Sequence, residues 1–284
     1  MCRTVVVVRI SIQLALVVSF VIGAVAVAAA PEKLLLVVCS PGSPGSTGEA
    51  QPRLDAFASA LSPHAGRAII AVYEPSEAAG VKRIASAGLA IVSLPFFLAH
   101  EQDLGLHAQL VAVQKGRPVL ERWTLVAQKG KVRRSAQPAG FTIASNAAFA
   151  PAFVRGVAQA GLGTLPSDVK LEQTTAVLSA LRRAANGEPI AVLLDGPQAA
   201  ALASLPFASK LEVVTTSPAW PAGLVVTVDS RVSAKTWAPI RSALLGLASD
   251  RKAASALAAI EITKFVPLDE KSLASARRAY GRTP

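Results

Sequence analysis

Polar residues that could bind a small molecule stand where the predicted strands of this 284-residue chain end. Each follows or closes a short apolar, β-branched run that is typical of a buried strand. The seven candidate ligand contacts are Ser40, Tyr73, Ser93, Ser145, Asn146, Asp195 and Thr216. A hydrogen bond to a charged group contributes about 1.5–3 kcal/mol, whereas micromolar binding requires about 8 kcal/mol. Several of these residues would therefore have to converge on one ligand.

Five of the candidates also have a structural alternative. Ser93, Asp195 and the pair Ser145 and Asn146 precede predicted helices and could simply cap them, and Tyr73 could anchor a strand end. A carboxylate from Asp195 in a binding cleft would favour an amine or a polar neutral ligand over an anion. Cys39 ends an apolar run, which is typical of a small buried hydrophobe.

Catalytic and metal chemistry have little support in the sequence. His64, His100 and His107 are scattered, with no carboxylate or cysteine at ligand spacing, so we expect no metal and no cofactor. The chain lacks a Gly-x-Ser-x-Gly nucleophile turn. The loop Ser40–Gly48 lacks the order of a phosphate-binding P-loop and is interpreted as the rim of a cleft. We therefore expect a protein that is not an enzyme and has no catalytic residues.

Apolar strand-like runs alternate with helical patterns along most of the chain. The connections are too long for hairpins, which predicts an α/β fold with largely parallel sheets. Predicted helix caps include Ser76, Ser233 and Asp250, and Thr174 or Thr175 for the helix that follows them. The segment 264–268 is predicted to be a linker.

The stretch from Lys210 to Asp229 organises these elements. The predicted strands Leu211–Thr216 and Leu224–Val228 flank Ser217–Pro221, whose two prolines disfavour a helix. A stiff, extended join of this kind predicts a crossing between two lobes, and Leu110–Gln128 is the candidate for the outward crossing. The expected lobes are residues 32–113 with 223–284, and residues 121–219 as an insertion.

The N-terminus has the pattern of an export signal. Arg3 and Arg9 precede the apolar run Ile10–Val27, and Ala26-Val27-Ala28 fits a cleavage site. Residues 1–28 are therefore expected to be a signal peptide removed on export. The alternative is a retained anchor, since about 18 apolar residues can span a bilayer.

The formal net charge of +11 allows an anionic partner. Aromatic residues make up only 5% of the chain and no long Lys/Arg run occurs, so a stacking platform for nucleic acid is not expected. The alternative is a general bias towards Arg and Ala, which would account for the charge without a partner.

Four stretches together resemble the periplasmic phosphonate- and phosphate-binding-like components of ABC transporters, which have the type 2 periplasmic-binding fold. The stretches are Ala87–Pro95, Asn186–Asp195, Ser217–Pro221, and Leu244–Asp250 followed by Lys264–Asp269. The resemblance implies two lobes, each a mostly parallel sheet flanked by helices, joined by two hinge crossings. Such binders open their second lobe with a Ser/Thr/Gly-rich turn that grips an oxyanion. The equivalent segment here, Ala144–Pro151, offers only Ser145 and Asn146.

These observations lead to one expected function and one alternative. The first is an exported, monomeric, periplasmic solute-binding protein that closes on a small polar or anionic ligand for an ABC permease, with no stable membrane insertion after cleavage. The alternative is a ligand-sensing or structural partner domain of the same fold, working for example with a sensor kinase. Closure would be a hinge motion about the two crossings.

Overall fold

The computed structural model describes residues 1, 33–42, 45–132, 140–166, 168–229 and 231–281. The chain divides into two units, Met1–Ala30 and Pro31–Pro284, and the secondary structure described below belongs to the second. The expected signal peptide lies outside the described residues. Among the residues that are described, no helix is both long and apolar enough to cross a membrane.

The first sheet has six strands within the described residues. In the order in which they pair, they are β13 (Ile262–Pro267), β4 (Leu106–Gln114), β12 (Gly223–Val228), β3 (Leu89–Ser93), β1 (Leu34–Cys39) and β2 (Ile69–Glu74). Strand β1 pairs in parallel with β2 and β3, while β12 runs antiparallel to both β3 and β4. Strands β1 to β4 therefore share one direction, and their carboxyl ends lie at the same edge of the sheet.

The second sheet has five strands in the described part of the chain. In pairing order they are β10 (Leu211–Thr216), β6 (Thr124–Gln128), β9 (Ile190–Leu194), β7 (Thr142–Ser145) and β8 (Lys170–Gln173). Strand β7 is parallel to both β8 and β9, and β6 is the strand that runs in the opposite direction. The prediction of an α/β fold with two mostly parallel sheets is confirmed.

The chain passes between the two sheets twice, and the two passages touch. It leaves the first sheet after β4 and returns to it through β12. The connecting strands β5 (Leu120–Glu121) and β11 (Trp220–Pro221) form a short antiparallel pair. Ser217 strengthens this junction, because its hydroxyl accepts a 3.0 Å hydrogen bond from the Trp123 amide and its carbonyl accepts one from Arg122.

Helices cover the faces of both sheets. They are α1 (Thr47–Ala65), α2 (Glu77–Ile84), α3 (Leu94–His100), α4 (Pro151–Leu162), α5 (Val177–Ala185), α6 (Gly196–Ala201), α7 (Ala234–Gly246), α8 (Arg251–Ala259) and α9 (Glu270–Tyr280). Ser76, Ser233 and Asp250 cap α2, α7 and α8 as predicted.

Aromatic side chains fill the core beside the two passages. The Phe153 ring of α4 lies between Trp123 and Trp220, with ring centroids 5.0 Å and 6.1 Å apart. Trp220 is 1% exposed, and α9 contacts both α4 and β11. Large buried aromatic surfaces of this kind contribute strongly to stability, so the junction of the two sheets is a packed core.

Several element predictions were wrong, each for a local reason. Residues 264–267 of the predicted linker 264–268 belong to β13. This strand lies at the edge of its sheet, where a proline without an N–H is tolerated. Helix α1 starts at Thr47 because Ser46 and Glu49 form a capping box, which shortens the predicted loop Ser40–Gly48. Neither Thr174 nor Thr175 caps α5, whose first turn follows Ala176.

Candidate ligand-binding cavity

A cavity of about 560 Å³ lies where the ends of both sheets meet. Its walls include residues from β1, β2 and β3 of the first sheet and residues that follow β7 and β9 of the second. Ligands of α/β proteins commonly bind beyond the carboxyl ends of strands, and the volume is typical of small-molecule sites.

Three of the predicted contacts line the cavity from the first sheet. Ser40 directly follows β1, Tyr73 lies near the end of β2, and Ser93 ends β3. Ser93 also caps α3, since its hydroxyl accepts a hydrogen bond from the Phe96 amide. Tyr73 is partly buried, and this burial raises the pKa of its phenol, so the hydroxyl stays protonated and can donate a hydrogen bond.

Two predicted contacts line the cavity from the second sheet. Asn146 follows β7, and Asp195 follows β9 and caps α6 through a 3.0 Å bond from the Gln198 amide to its Oδ1. Asp195 is therefore both a helix cap and a cavity residue, so the two alternatives for this residue coexist.

The structure places the other two predicted contacts elsewhere. Ser145 is 0% exposed, and its Oγ donates to the Leu193 carbonyl at 2.9 Å and accepts from the Ala147 amide at 3.1 Å. It holds the turn beneath the cavity instead of facing it. Thr216 ends β10 opposite Thr124, with an exposed side chain, and is not among the described residues that line the cavity.

A largely buried charged cluster in the cavity wall was not predicted from the sequence. The Arg117 guanidinium donates to Glu121 Oε2 at 3.0 Å and to Asp195 Oδ2 at 3.1 Å. Burial is the main cause that raises the pKa of Glu121, while the Arg117 charge and the Gly196 amide oppose the rise. The only sequence signal was the spacing Arg117-x-x-x-Glu121, which brings two side chains together on a helix but not in an extended crossing such as that predicted for Leu110–Gln128.

Two turns position Arg117. The Arg117 amide donates to the Gln114 carbonyl across a turn in which Gly116 has a φ of 72°. The adjacent Lys115 amide donates to the carbonyl of Glu261 at 2.8 Å. Glu261 is a non-glycine residue with a φ of 57° and lines the same cavity. A left-handed residue is costly unless its surroundings hold it, so this wall is built by two turns that stabilise each other.

Two buried polar atoms of cavity-lining residues have no hydrogen-bond partner among the described residues. They are the Trp123 Nε1 donor and the Asn146 Oδ1 acceptor. Buried polar groups are nearly always hydrogen-bonded. Both atoms have almost no solvent-accessible surface, so they lie behind the cavity wall and do not face its open volume.

The rim of the cavity contains a close contact between backbones. Gly42 has a φ of 77°, and a Cβ built on it would lie 2.1 Å from the Asn146 carbonyl oxygen. The loop after β1 therefore meets the loop after β7 at a distance that only glycine allows.

Other reactive groups in the described residues lie away from this chemistry. No group of three or more His, Cys, Asp or Glu side chains in the described ranges could hold a metal ion. Cys39 is buried, and burial raises its pKa to about 12, so its thiol is not a nucleophile.

Comparison with solved structures gives a consistent set of relatives in fold. XAC2383 from Xanthomonas citri bound to ATP has a TM-score of 0.69 at 15% identity, covering 88% of this chain and 97% of that one. The same protein bound to chloride has a TM-score of 0.68. A binding protein component of an ABC phosphonate transporter from Pseudomonas aeruginosa has a TM-score of 0.60 at 16% identity, covering 87% of this chain and 86% of that one.

A third protein, PhnD1 from Prochlorococcus marinus in complex with methylphosphonate, has a TM-score of 0.57 at 13% identity, covering 86% of this chain and 96% of that one. No protein-family model and no curated protein sequence matches the chain. Identities at this level establish the fold alone. The chain has the two-lobed fold of periplasmic solute-binding proteins, as the resemblance implied.

Proposed function

We propose that this protein is an exported, non-enzymatic solute-binding protein that closes on a small ligand held between its two sheets. The observation that carries the proposal is the cavity itself, which polar residues of both sheets line. The relatives in fold that bind phosphonates support a binding role.

The energetics fit this role. Ser40, Tyr73, Ser93 and Asn146 are four polar residues of the cavity wall that can hydrogen-bond one ligand. At about 1.5–3 kcal/mol for each bond to a charged ligand group, four bonds reach the roughly 8 kcal/mol of micromolar binding. A ligand that contacts both sheets favours the closed arrangement over an open one.

The proposal also covers the boundaries of the two lobes and the location of the protein in the cell. The lobes are residues 32–113 with 223–284 and residues 121–219, and the paired strands β5 and β11 form the hinge between them. Removal of residues 1–28 releases the protein into the periplasm, where an ABC permease receives its ligand. Intact-mass analysis of exported protein should give a chain that starts near Ala29, whereas a full-length mass in the membrane fraction would contradict export with cleavage.

A thermal-shift screen tests the binding role. The protein starting at Ala29 is melted with phosphate, phosphite, methylphosphonate, sulfate, ATP and a set of small amines, and native mass spectrometry of freshly purified protein searches for a carried ligand. At least one compound should raise the Tm by several degrees, because it binds the folded state alone.

Matched variants locate the binding. Tyr73→Phe combined with Asn146→Ala removes one polar group from each sheet and should abolish the shift. Thr216→Ala removes a hydroxyl that is exposed and lies outside the cavity wall, so it should leave the shift unchanged. A protein that carries no ligand and responds to no compound would refute the proposal.

A further inference from the structure

The cavity extends along the whole edge of the first sheet at which β1 to β4 end. All six described strands of that sheet contribute to its wall. The contributing residues include Ile262 of β13, Gln114 of β4, Gly223 of β12, Ser93 of β3, Val38 of β1 and Tyr73 of β2. Neighbouring strands lie about 4.8 Å apart, so the distance across the sheet from β13 to β2 is about 24 Å. The cavity is therefore a long groove.

Uncharged hydrogen-bonding side chains are spread along this groove. Four strands carry one at or next to their ends, namely Gln114 on β4, Ser93 on β3, Ser40 after β1 and Tyr73 on β2. Each of these hydroxyl or amide groups can both donate and accept a hydrogen bond. The row from β4 to β2 covers about 19 Å. A ligand that uses the whole row must present polar groups at several points along its length, whereas the oxygens of one phosphate or phosphonate surround a single atom.

Apolar side chains share the wall with this polar row. Ile91 and Ala112 belong to β3 and β4, Ile260 precedes β13, and Phe149 follows β7 in the second sheet. Ile260 and Phe149 are partly exposed, so a ligand that covers them removes apolar surface from water. The groove thus matches a chain molecule that carries both repeated polar groups and apolar side groups.

The charged residues of the described wall do not favour an anion. Arg117 already donates to Glu121 and Asp195, and the charge of Arg53 acts on Glu49. Each of these guanidiniums therefore has a carboxylate neighbour that competes with a bound anion. A ligand whose body is uncharged avoids this competition.

We propose that the groove binds a short, extended peptide with uncharged side chains, which lies along the edge of the first sheet. Its backbone amides hydrogen-bond the row of Gln114, Ser93, Ser40 and Tyr73, and its side chains cover the apolar residues of the wall. An extended chain spans about 3.3–3.6 Å per residue, so a pentapeptide covers about 17 Å of the groove. This inference rests on the proposed solute-binding function and names the class of solute.

An alanine series tests the length of the ligand at constant end charges. Alanine, dialanine, trialanine and pentaalanine each carry one ammonium and one carboxylate group, so only the number of amide and methyl groups changes. In calorimetric titrations the affinity should rise at least tenfold from alanine to pentaalanine, because the added amides supply further hydrogen bonds. Methylphosphonate is a short anion, and maltotriose is a hydroxyl-bearing chain without apolar side groups. Both should bind less tightly than pentaalanine.

Variants at two places in the row test whether one ligand spans it. Ser40→Ala and Gln114→Ala remove polar groups about 14 Å apart, the distance from β1 to β4 in the sheet. Each should weaken pentaalanine binding about threefold or more, the effect of losing one hydrogen bond, and at most one should weaken alanine binding. Gln102→Ala, exposed and outside the described cavity wall, is the matched control and should bind as the parent does. Equal apo Tm values confirm that the variants remain folded.

The outcomes separate this inference from the proposed function. Tighter binding of methylphosphonate or maltotriose than of every peptide would overturn the peptide class and leave the solute-binding role intact. An affinity that does not rise with peptide length, or a pentaalanine affinity that the two variants do not both lower, would overturn the placement along the row. If no peptide binds, this inference fails, and the proposed function fails with it only when the broader screen and native mass spectrometry find no ligand either.

Discussion

The contact between Gly42 and Asn146 should control whether the cavity is closed. Gly42 has a φ of 77°, and a Cβ at this position would lie 2.1 Å from the Asn146 carbonyl oxygen. Relief of that overlap in Gly42→Ala requires the distance to grow from 2.1 to at least 3.4 Å, an increase of about 1.3 Å. The proposed hinge allows the loops to separate by this amount without unfolding either sheet.

Gly66→Ala is the matched control for backbone strain. Gly66 has a φ of 65°, and a Cβ there meets nothing within 4 Å. An alanine in the left-handed region costs about 1–2 kcal/mol at either position. Both variants should therefore lose about 1–2 kcal/mol of unfolding free energy in urea, and only Gly42→Ala should open the cavity.

Acrylamide quenching measures the opening through Trp123, which lines the cavity and is 4% exposed. Trp237 is replaced by Phe in all three proteins, which leaves Trp123 and Trp220 as the tryptophans that can be quenched. Trp220 is 1% exposed and remains protected in the core, so a change in quenching reports on Trp123. Gly42→Ala should quench more strongly than Gly66→Ala and the parent. Equal quenching in all three proteins would refute the closing role of this contact.

Three further predictions concern buried groups. Ser145→Ala should lose about 1–3 kcal/mol of unfolding free energy, since two buried backbone groups lose their partner. The neighbouring variant Asn146→Ala should lower ligand affinity with little change in the apo Tm. Equal apo stabilities of the two variants would refute the role of Ser145 in the turn. Cys39 should resist a thiol reagent at pH 8 until urea unfolds the protein, because its pKa is about 12; rapid native labelling would contradict this. Folding raises the pKa of Glu121, so the native state holds that proton more tightly. Relative to Glu121→Gln, the parent should therefore lose unfolding free energy as the pH rises above about 4.3, the ordinary glutamate value, and parallel pH profiles would count against this.

The strand ends were predictable because their signal is local. An apolar β-branched run followed by a polar residue identified the ends of β1, β2, β3 and β9, and parallel strands bring such ends to one edge. Five of the seven residues chosen in this way line one cavity. Their role as ligand contacts stays a prediction.

What could not be predicted depends on contacts between distant segments. Arg117 meets Asp195 across 78 residues, and the turn that aims it depends on the Glu261 carbonyl in a different part of the chain. The orientation of Ser145 depends on the carbonyl of Leu193 in the neighbouring strand. Propensity and spacing carry no information about such partners.

The position of β12 has a consequence for how the molecule is assembled. This strand lies in the middle of the six-stranded sheet, where Gly223 pairs with Ser93 and Leu224 pairs with Val111. Strands β3 and β4 follow each other in the sequence, but in the sheet β12 lies between them. Neither strand can pair with β12 until the ribosome has passed Val228. Closing loops of this length slows folding, and the open strand edges invite association in the meantime. A nascent chain that ends before Gly223 cannot complete its first sheet, so this sheet stays incomplete through most of the synthesis of the chain.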